Sequence, residues 1–209
     1  MITAPIIGLK RHCIATDGQG VTTLVAFYGC LLRCKYCINP QCFNKNTICR
    51  TITPQELRDE VAIDNLYFLA TGGGVTFGGG EPLLRSKFIS EFCKIAPHEW
   101  NISLETSLNV SKRHLEEVIQ FIDHFFIDVK DLEPVIYKKY TSTDNIKVYE
   151  NLQLLAAKIP QNKITIRLPL IYGYNNEEKR KASIEKLKRM GFDNFDLFKY
   201  IIKNNTIKQ

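Results

Sequence analysis

No apolar run in these 209 residues approaches the ~20 positions that a membrane-crossing helix needs. Nor does Met1–Cys13 carry an apolar stretch of signal-peptide length followed by a small-residue cleavage site. Both absences lead to the expectation of a cytoplasmic protein with no membrane partner. Short-period repeats, low-complexity tracts and dividing linkers are lacking too, so residues 1–209 are expected to form one domain. His12, His98, His114 and His124 show no paired ligand spacing and receive no role. What is present is ordinary for a folded chain. With 44% hydrophobic and 24% charged residues a core can form, and wholesale disorder is excluded. The net charge of +6 is mild, with nine Lys/Arg against five Asp/Glu in residues 177–209. That segment reads first as a solvated helix face and second as a contact for an acidic protein surface; nucleic acid is not expected as a partner.

Short apolar runs alternate with helical ones. Residues 21–27 (VTTLVAF) are rich in β-branched side chains and read as a strand. Thr53-Pro54-Gln55-Glu56 is a capping box with proline at the first helical position, predicting a helix to about Ala70. Further strands are expected at 74–77, 102–104, 125–128, 164–168 and 195–198. Helices are expected near 86–96, 111–121, 134–140, 148–158 and 177–190, the last stopped by Gly191. Six strands separated by helices imply βαβ units and a parallel α/β sheet. The candidate chemical groups all fall where strands end: 30–37, 78–81, Glu105-Thr106, Asp128 with Lys130, and Arg167. In parallel α/β folds the loops at the carboxyl ends of strands share one rim, which favours a single composite site.

Seven cysteines are too odd a number for a disulfide framework in an intracellular chain. Three of them, Cys30, Cys34 and Cys37, fall within eight residues. Thiolates so clustered suit a soft metal or an iron–sulfur cluster. A structural zinc would need a fourth ligand, which only Cys42 or Cys49 could supply. A redox pair at Cys34 and Cys37 would leave Cys30 unexplained. Residues 71–84 (TGGGVTFGGGEPLL) lack the Lys-Ser/Thr ending of a phosphate loop and the spacing of a dinucleotide fingerprint. Their glycines let backbone approach a ligand at a strand end; read alone, Glu81 belongs to a solvent-facing turn.

The C-x3-C-x2-C loop, with Tyr36 before its last cysteine, resembles that of the radical S-adenosylmethionine (SAM) enzymes. Within them the chain is similar to the glycyl-radical-enzyme activating enzymes. The similarity runs in order through 16–20 (TDGQG), 29–40 (GCLLRCKYCINP), 72–84, 104–107 (LETS), 126–130 (FIDVK) and 167–175 (RLPLIYGYN). The resemblance implies an α/β fold, a partial (β/α)6 TIM-like barrel of the radical SAM type, open on its lateral side. It also implies that Cys30, Cys34 and Cys37 each bind one iron of a single [4Fe–4S] cluster, with SAM chelating the fourth through its amino and carboxylate groups. Electron transfer from the reduced cluster would cleave SAM to a 5′-deoxyadenosyl radical, which takes hydrogen from a glycine of a partner glycyl radical enzyme. By the same carry-over, Tyr36, Cys37 and Ile38 lie beneath the adenine, and Gly79, Gly80 and Glu81 meet the ammonium. Glu105, Thr106, Asp128, Val129 and Lys130 hold the polar and ribose side, with a monovalent cation among the carboxylates. Arg167 would meet a carboxylate or the substrate loop, and Asp17 the incoming peptide. An electron donor such as flavodoxin or ferredoxin is implied as a further partner.

Three departures stand out. The family's TDGPG-[IV]-R-T reads TDGQGVTT here, CHNP reads CINP, and 198–201 (FKYI) replaces a proline–tyrosine–histidine run before a shortened C-terminal segment. No complete ferredoxin-like insert follows the loop, so no auxiliary cluster is expected, and Cys13 and Cys93 read as small core residues. Two rival functions remain: a radical SAM enzyme acting on a small molecule, and a non-catalytic metal-binding adaptor that engages a partner through its basic tail.

Overall fold

The structure is a computed structural model that describes residues 1–14 and 17–200; Thr16 and Ile201 of the sequence motifs lie outside the described residues. One sheet of eight strands organises it. The first three strands are β1 (Ala4–Ile14), β2 (Val21–Phe27) and β3 (Arg50–Ile52). The others are β4 (Gly74–Gly79), β5 (Asn101–Thr106), β6 (His124–Asp128), β7 (Ile164–Leu170) and β8 (Phe195–Lys199). Their spatial order is β3-β1-β2-β4-β5-β6-β7-β8. From β2 to β8 all neighbours are parallel and in chain order. These are the six strands expected from sequence, and the sheet does not close: it is a partial (β/α)6 barrel. Two antiparallel strands, β1 and β3, extend it beyond β2.

Apolar side chains from the strands and from the helices packed against them make the core. Helix α3 (Ser86–Ile95) turns Phe88, Ile89 and Phe92 inward. Phe92 meets the Phe77 ring edge-on at 5.2 Å, and Phe88 meets Phe27 at 5.6 Å. Ile95, at the end of the helix, is 41% exposed. Helices α4 (Lys112–Val118), α5 (Pro134–Thr141), α6 (Ile146–Lys158) and α7 (Glu177–Arg189) complete the units. The helix expected from Thr53 to Ala70 is instead two, α1 (Pro54–Val61) and α2 (Asn65–Thr71). The capping box forms as read: Glu56 N–H donates to Thr53 Oγ1 (3.2 Å), and Thr53 N–H to Glu56 Oε2 (2.7 Å). The break is electrostatic. Asp64 is fully buried, where its carboxylate accepts from Arg11 Nε (2.8 Å) and Thr23 Oγ1 (2.8 Å) and contacts His12 Nε2 (3.0 Å). The Arg11 bond holds it below the usual carboxylate range. Turning that acid inward ends the regular α turn and ties β1, which sequence reading missed, to the barrel.

Candidate active site

The parallel strands deliver their carboxyl ends to one rim, and the cysteine loop leaves β2 there. Hydrogen bonds to backbone carbonyls fix this loop from three directions. At its start Gly80 N–H donates to Phe27 O (2.9 Å) and Glu81 N–H to Gly29 O (2.8 Å), joining it to the end of β4. In its middle Arg33 N–H and Lys35 N–H donate to Thr141 O (2.8 Å) and Tyr140 O (3.2 Å), on the last turn of α5. Farther on, Asn39 Nδ2 donates to Gly79 O (3.1 Å). The close approach to β4 requires glycine. A Cβ on Gly80 would stand 2.1 Å from Gly29 O, and Gly79 has φ +91°.

Between loop and strand ends lies a cleft of about 380 Å³. Cys30, Cys34 and Cys37 all line it. Burial, then Glu81 and the neighbouring thiols, push Cys30 up to about 12, and burial also raises Cys34. Such thiols ionise when a cation shares the cleft, since a coordinating thiol is deprotonated outright. Among the described residues no three His, Cys, Asp or Glu side chains close on one point where a single ion would sit. Zinc needs its donors about one centre at ~2.3 Å, whereas a cubane takes each thiolate on a different iron. Three thiols that share a cleft without converging on one point fit the second.

The far wall is a chain of ion pairs. Arg167 Nη1 donates to Glu105 Oε1 (2.6 Å), its Nε faces Asp196 Oδ2 (3.7 Å), and its guanidinium lies 4.4 Å from the centre of the Phe126 ring. Burial holds Glu105 up at about 7; Arg167 pulls it down, while Asp17 and Asp128 push it up. Lys130 Nζ donates to Asp128 Oδ2 (3.1 Å) and Tyr200 Oη (2.9 Å). Burial alone would lower the Lys130 pKa, but Asp128, Tyr200 and Cys34 outweigh it and the ammonium is kept. The cation expected among the carboxylates thus meets Glu105 and Asp128 already paired with Arg167 and Lys130.

Of the residues expected at the site, Asp17, Tyr36, Ile38, Gly79, Gly80, Glu105, Thr106, Asp128, Lys130 and Arg167 line the cleft with the three cysteines. Two do not. Glu81 is 2% exposed, and its carboxylate accepts from Thr106 Oγ1 (2.6 Å), Ser107 Oγ (2.6 Å), Ser107 N (3.0 Å) and Leu83 N (3.2 Å). With four donors already on it, the carboxylate braces the loop after β5, and the Gly79–Gly80 backbone faces the cleft instead. Val129 is fully buried, its N–H bonded to Arg167 O (3.0 Å) and Ile127 O (3.1 Å). Asp17 is held by its backbone carbonyl, which accepts from Thr76 Oγ1 and from Thr22 Oγ1 (3.4 Å). The sequence reading assigned no role to Asn39, Ser107, Tyr140, Asp196 or Tyr200, which also line the cleft. Asn39, Ser107 and Tyr200 belong to segments compared with the family, so position in a motif could have found them. Tyr140 carried no signal; at i+3 from Tyr137 on α5 it reads as one more core aromatic.

An open parallel barrel with three loop thiols facing its strand ends defines an α/β metallocofactor enzyme site. The family model for the radical SAM superfamily matches residues 24–182, and the chain belongs to that superfamily. The (2S)-3-sulfopropanediol dehydratase activating enzyme of Klebsiella oxytoca is 28% identical over 233 residues, spanning 82% of this chain and 73% of its own. Pyruvate formate-lyase-activating enzyme of Staphylococcus aureus is 31% identical over 171 residues, spanning 78% of this chain and 66% of its own. Among solved structures, Streptococcus suis SuiB bound to S-adenosylmethionine superposes with a TM-score of 0.66 at 12% identity, over 88% of this chain and 43% of that one. The radical SAM enzyme HemN of Escherichia coli superposes with a TM-score of 0.57 at 15% identity, over 91% of this chain and 47% of that one. At these identities the likeness is one of fold. No helix among the described residues is long and apolar enough to cross a membrane.

Proposed function

We propose that this chain activates a glycyl radical enzyme, holding a [4Fe–4S] cluster on Cys30, Cys34 and Cys37 and SAM in the adjoining cleft. The observation that carries the reading is the sharing of one cleft by the three thiols, the Gly79–Gly80 strand end and the Asp128–Lys130 pair. Bound there, cluster and SAM supply one-electron cleavage of the sulfonium to a 5′-deoxyadenosyl radical that takes hydrogen from a glycine Cα of the partner. The chain's own residues bind and orient. The backbone of Gly79 and Gly80, which faces the cleft at the end of β4, receives the ammonium of SAM beside the Asn39 side chain that bonds Gly79 O. Thr106 and Asp128 hold the polar side of the nucleoside, and Tyr36 and Ile38 flank its base. Asp17 and Arg167 face the incoming peptide, with Glu105 fixing the guanidinium. The unclosed sheet admits a protein segment, and a flavodoxin- or ferredoxin-type donor supplies the electron. The names of the curated relatives, both activating enzymes, support a protein substrate over a small molecule.

The test is anaerobic reconstitution, reduction with SAM, and detection of 5′-deoxyadenosine for wild type and Cys30→Ala. Wild type should cleave SAM, and the variant should lose both iron and cleavage; cleavage retained by the variant refutes the assignment. Deuterium passing into 5′-deoxyadenosine from a labelled glycine-loop peptide supports the activase reading. Passage from a metabolite alone would replace it with the small-molecule reading.

A further inference from the structure

The cysteine loop has two faces. Cys30, Leu32, Cys34 and Tyr36 line the cleft; the residues between them, Leu31, Arg33 and Lys35, do not, and they are exposed. The turn that follows folds back along this outer face. Cys42 O accepts from Gly29 N–H (3.2 Å), the Arg33 guanidinium lies 4.9 Å from the centre of the Phe43 ring, and Asn44 O accepts from the Tyr28 hydroxyl (3.3 Å). Lys45 and Ile48, on the same turn, are exposed and outside the cleft. The last turn of α5, whose carbonyls take the Arg33 and Lys35 N–H groups, adds exposed Lys138 and Lys139.

Charge of one sign covers this face. Residues 18–55 contain no Asp or Glu. Of their cations Arg50 is paired with Glu60, whereas Arg33, Lys35 and Lys45, like Lys138 and Lys139, form no ion pair among the described residues. Helix α7, the basic segment of the sequence, differs: it pairs Arg180 with Glu177 (2.8 Å) and Lys188 with Glu185 (3.8 Å). Amid the unpaired cations two large apolar side chains stand in water, Leu31 at 47% and Ile48 at 93% exposure. Apolar anchors within a charged rim are the anatomy of a protein interface. We infer that the outer face of the cysteine loop is the docking surface for the electron carrier, a small protein with an acidic rim about its redox group. The thiols line one side of this short segment and the docking residues the other, so a protein seated here is separated from the cluster site by the thickness of one loop. Electron transfer falls steeply with distance, which favours that route. The partner whose glycine is attacked must instead reach the cleft itself, through the unclosed side of the sheet. Nucleic acid would answer the cations but leave Leu31 and Ile48 in water. The carrier gives up one electron and is oxidised by one; the cluster on the three cysteines takes it, and no proton or group moves. The proposal rests on the cluster reading above and deepens it.

The experiment uses anaerobically reconstituted protein and two probes, a flavodoxin and a ferredoxin, carried forward with whichever wild type binds better. One readout is equilibrium binding of that carrier. The other is single-turnover formation of 5′-deoxyadenosine with electrons from the reduced carrier or from photoreduced deazaflavin, a small molecule that needs no docking surface. The double variant Lys45→Glu with Lys138→Glu should weaken carrier binding about tenfold at low salt, a loss that shrinks as ionic strength rises. Ile48→Ser should weaken it about fivefold at any salt, since the lost contact is apolar. Both should keep wild-type iron content, circular dichroism and turnover with deazaflavin. The α7 double variant Lys181→Glu with Lys186→Glu should match wild type throughout. Wild type that binds neither carrier, loop-face variants that bind like wild type, or a loss confined to the α7 variant overturns the docking surface and leaves the cluster reading intact. So does an equal loss of turnover with deazaflavin, which docking cannot cause. A wild-type dimer that Ile48→Ser splits without affecting the carrier would assign the face to a second copy and overturn the proposal. Failure of wild type to hold iron or to cleave SAM with deazaflavin would remove the cluster reading and the carrier with it.

Discussion

Replacing Tyr140 by phenylalanine should make the SAM-free protein more stable, contrary to the usual outcome of trimming a buried hydroxyl. A satisfied hydroxyl contributes about 1 kcal/mol when its hydrogen bond forms, so its removal normally destabilises. Here the oxygen is enclosed with only a weak bond to Tyr200 beyond ordinary hydrogen-bond distance, so most of its desolvation penalty, about 1–3 kcal/mol, is not offset. The substitution preserves the ring contacts with Tyr36, Tyr174 and Tyr200 and removes only that penalty. A gain of about 1 kcal/mol raises Tm by roughly 2–4 °C in a domain of this size. The assay is thermal and urea unfolding of cluster-free wild type and variant. The variant should melt higher. A lower melting temperature for the unliganded variant would mean that the hydroxyl has a full-strength partner in the folded state, and the reasoning would fall.

Two further predictions concern the loop and the acid of the far wall. Gly80→Ala sets a methyl group against the Gly29 carbonyl, at 2.1 Å before relaxation, and should push the cysteine loop off β4. Iron bound per chain after reconstitution should drop by more than half, and full occupancy would contradict the packing. Glu105 has a folded pKa of about 7 against an ordinary value of 4.5, raised chiefly by burial. The folded chain therefore keeps a proton that the unfolded chain releases. This contribution to stability is full below pH 4.5 and is lost as pH rises through about 7. At 1.36 kcal/mol per unit the linkage amounts to at most about 3 kcal/mol. Glu105→Gln mimics the protonated acid, so urea-derived stability plotted against pH should be flatter across that window; parallel wild-type and variant curves would sink the argument.

The six parallel strands were legible because each is a short, β-branched or aromatic run bounded by turn residues, and their ends already grouped the cleft residues. The edge of the sheet was not. In β1 the apolar positions are interrupted by Gly8, Lys10, Arg11 and His12, and its pairing with β2 shifts register twice, so no period of two survives. Strand β3 is three residues long. Asp64 sits in a stretch with good helical signals, and only the three-dimensional position of Arg11 and Thr23 breaks that helix. The motif residues were found by spacing, but spacing does not say where a carboxylate points. Glu81 follows two cleft-lining glycines yet turns inward to Thr106 and Ser107. Tyr140 could not be read at all: its location on a helix face is that of a core residue, and only its place in the cleft beside Tyr200 and Lys130 separates it from Tyr137, whose hydroxyl accepts from Asn109 Nδ2 (3.0 Å).

The bonds that hold the cysteine loop to β4 and α5 run from peptide to peptide, with one added by the Asn39 amide, and none involves sulfur. In zinc fingers the metal is the glue and its removal unfolds the chain. Here the anchors of the loop are amides and carbonyls, so the placing of the three thiols is written into the edge of β4 and the last turn of α5 rather than into a metal.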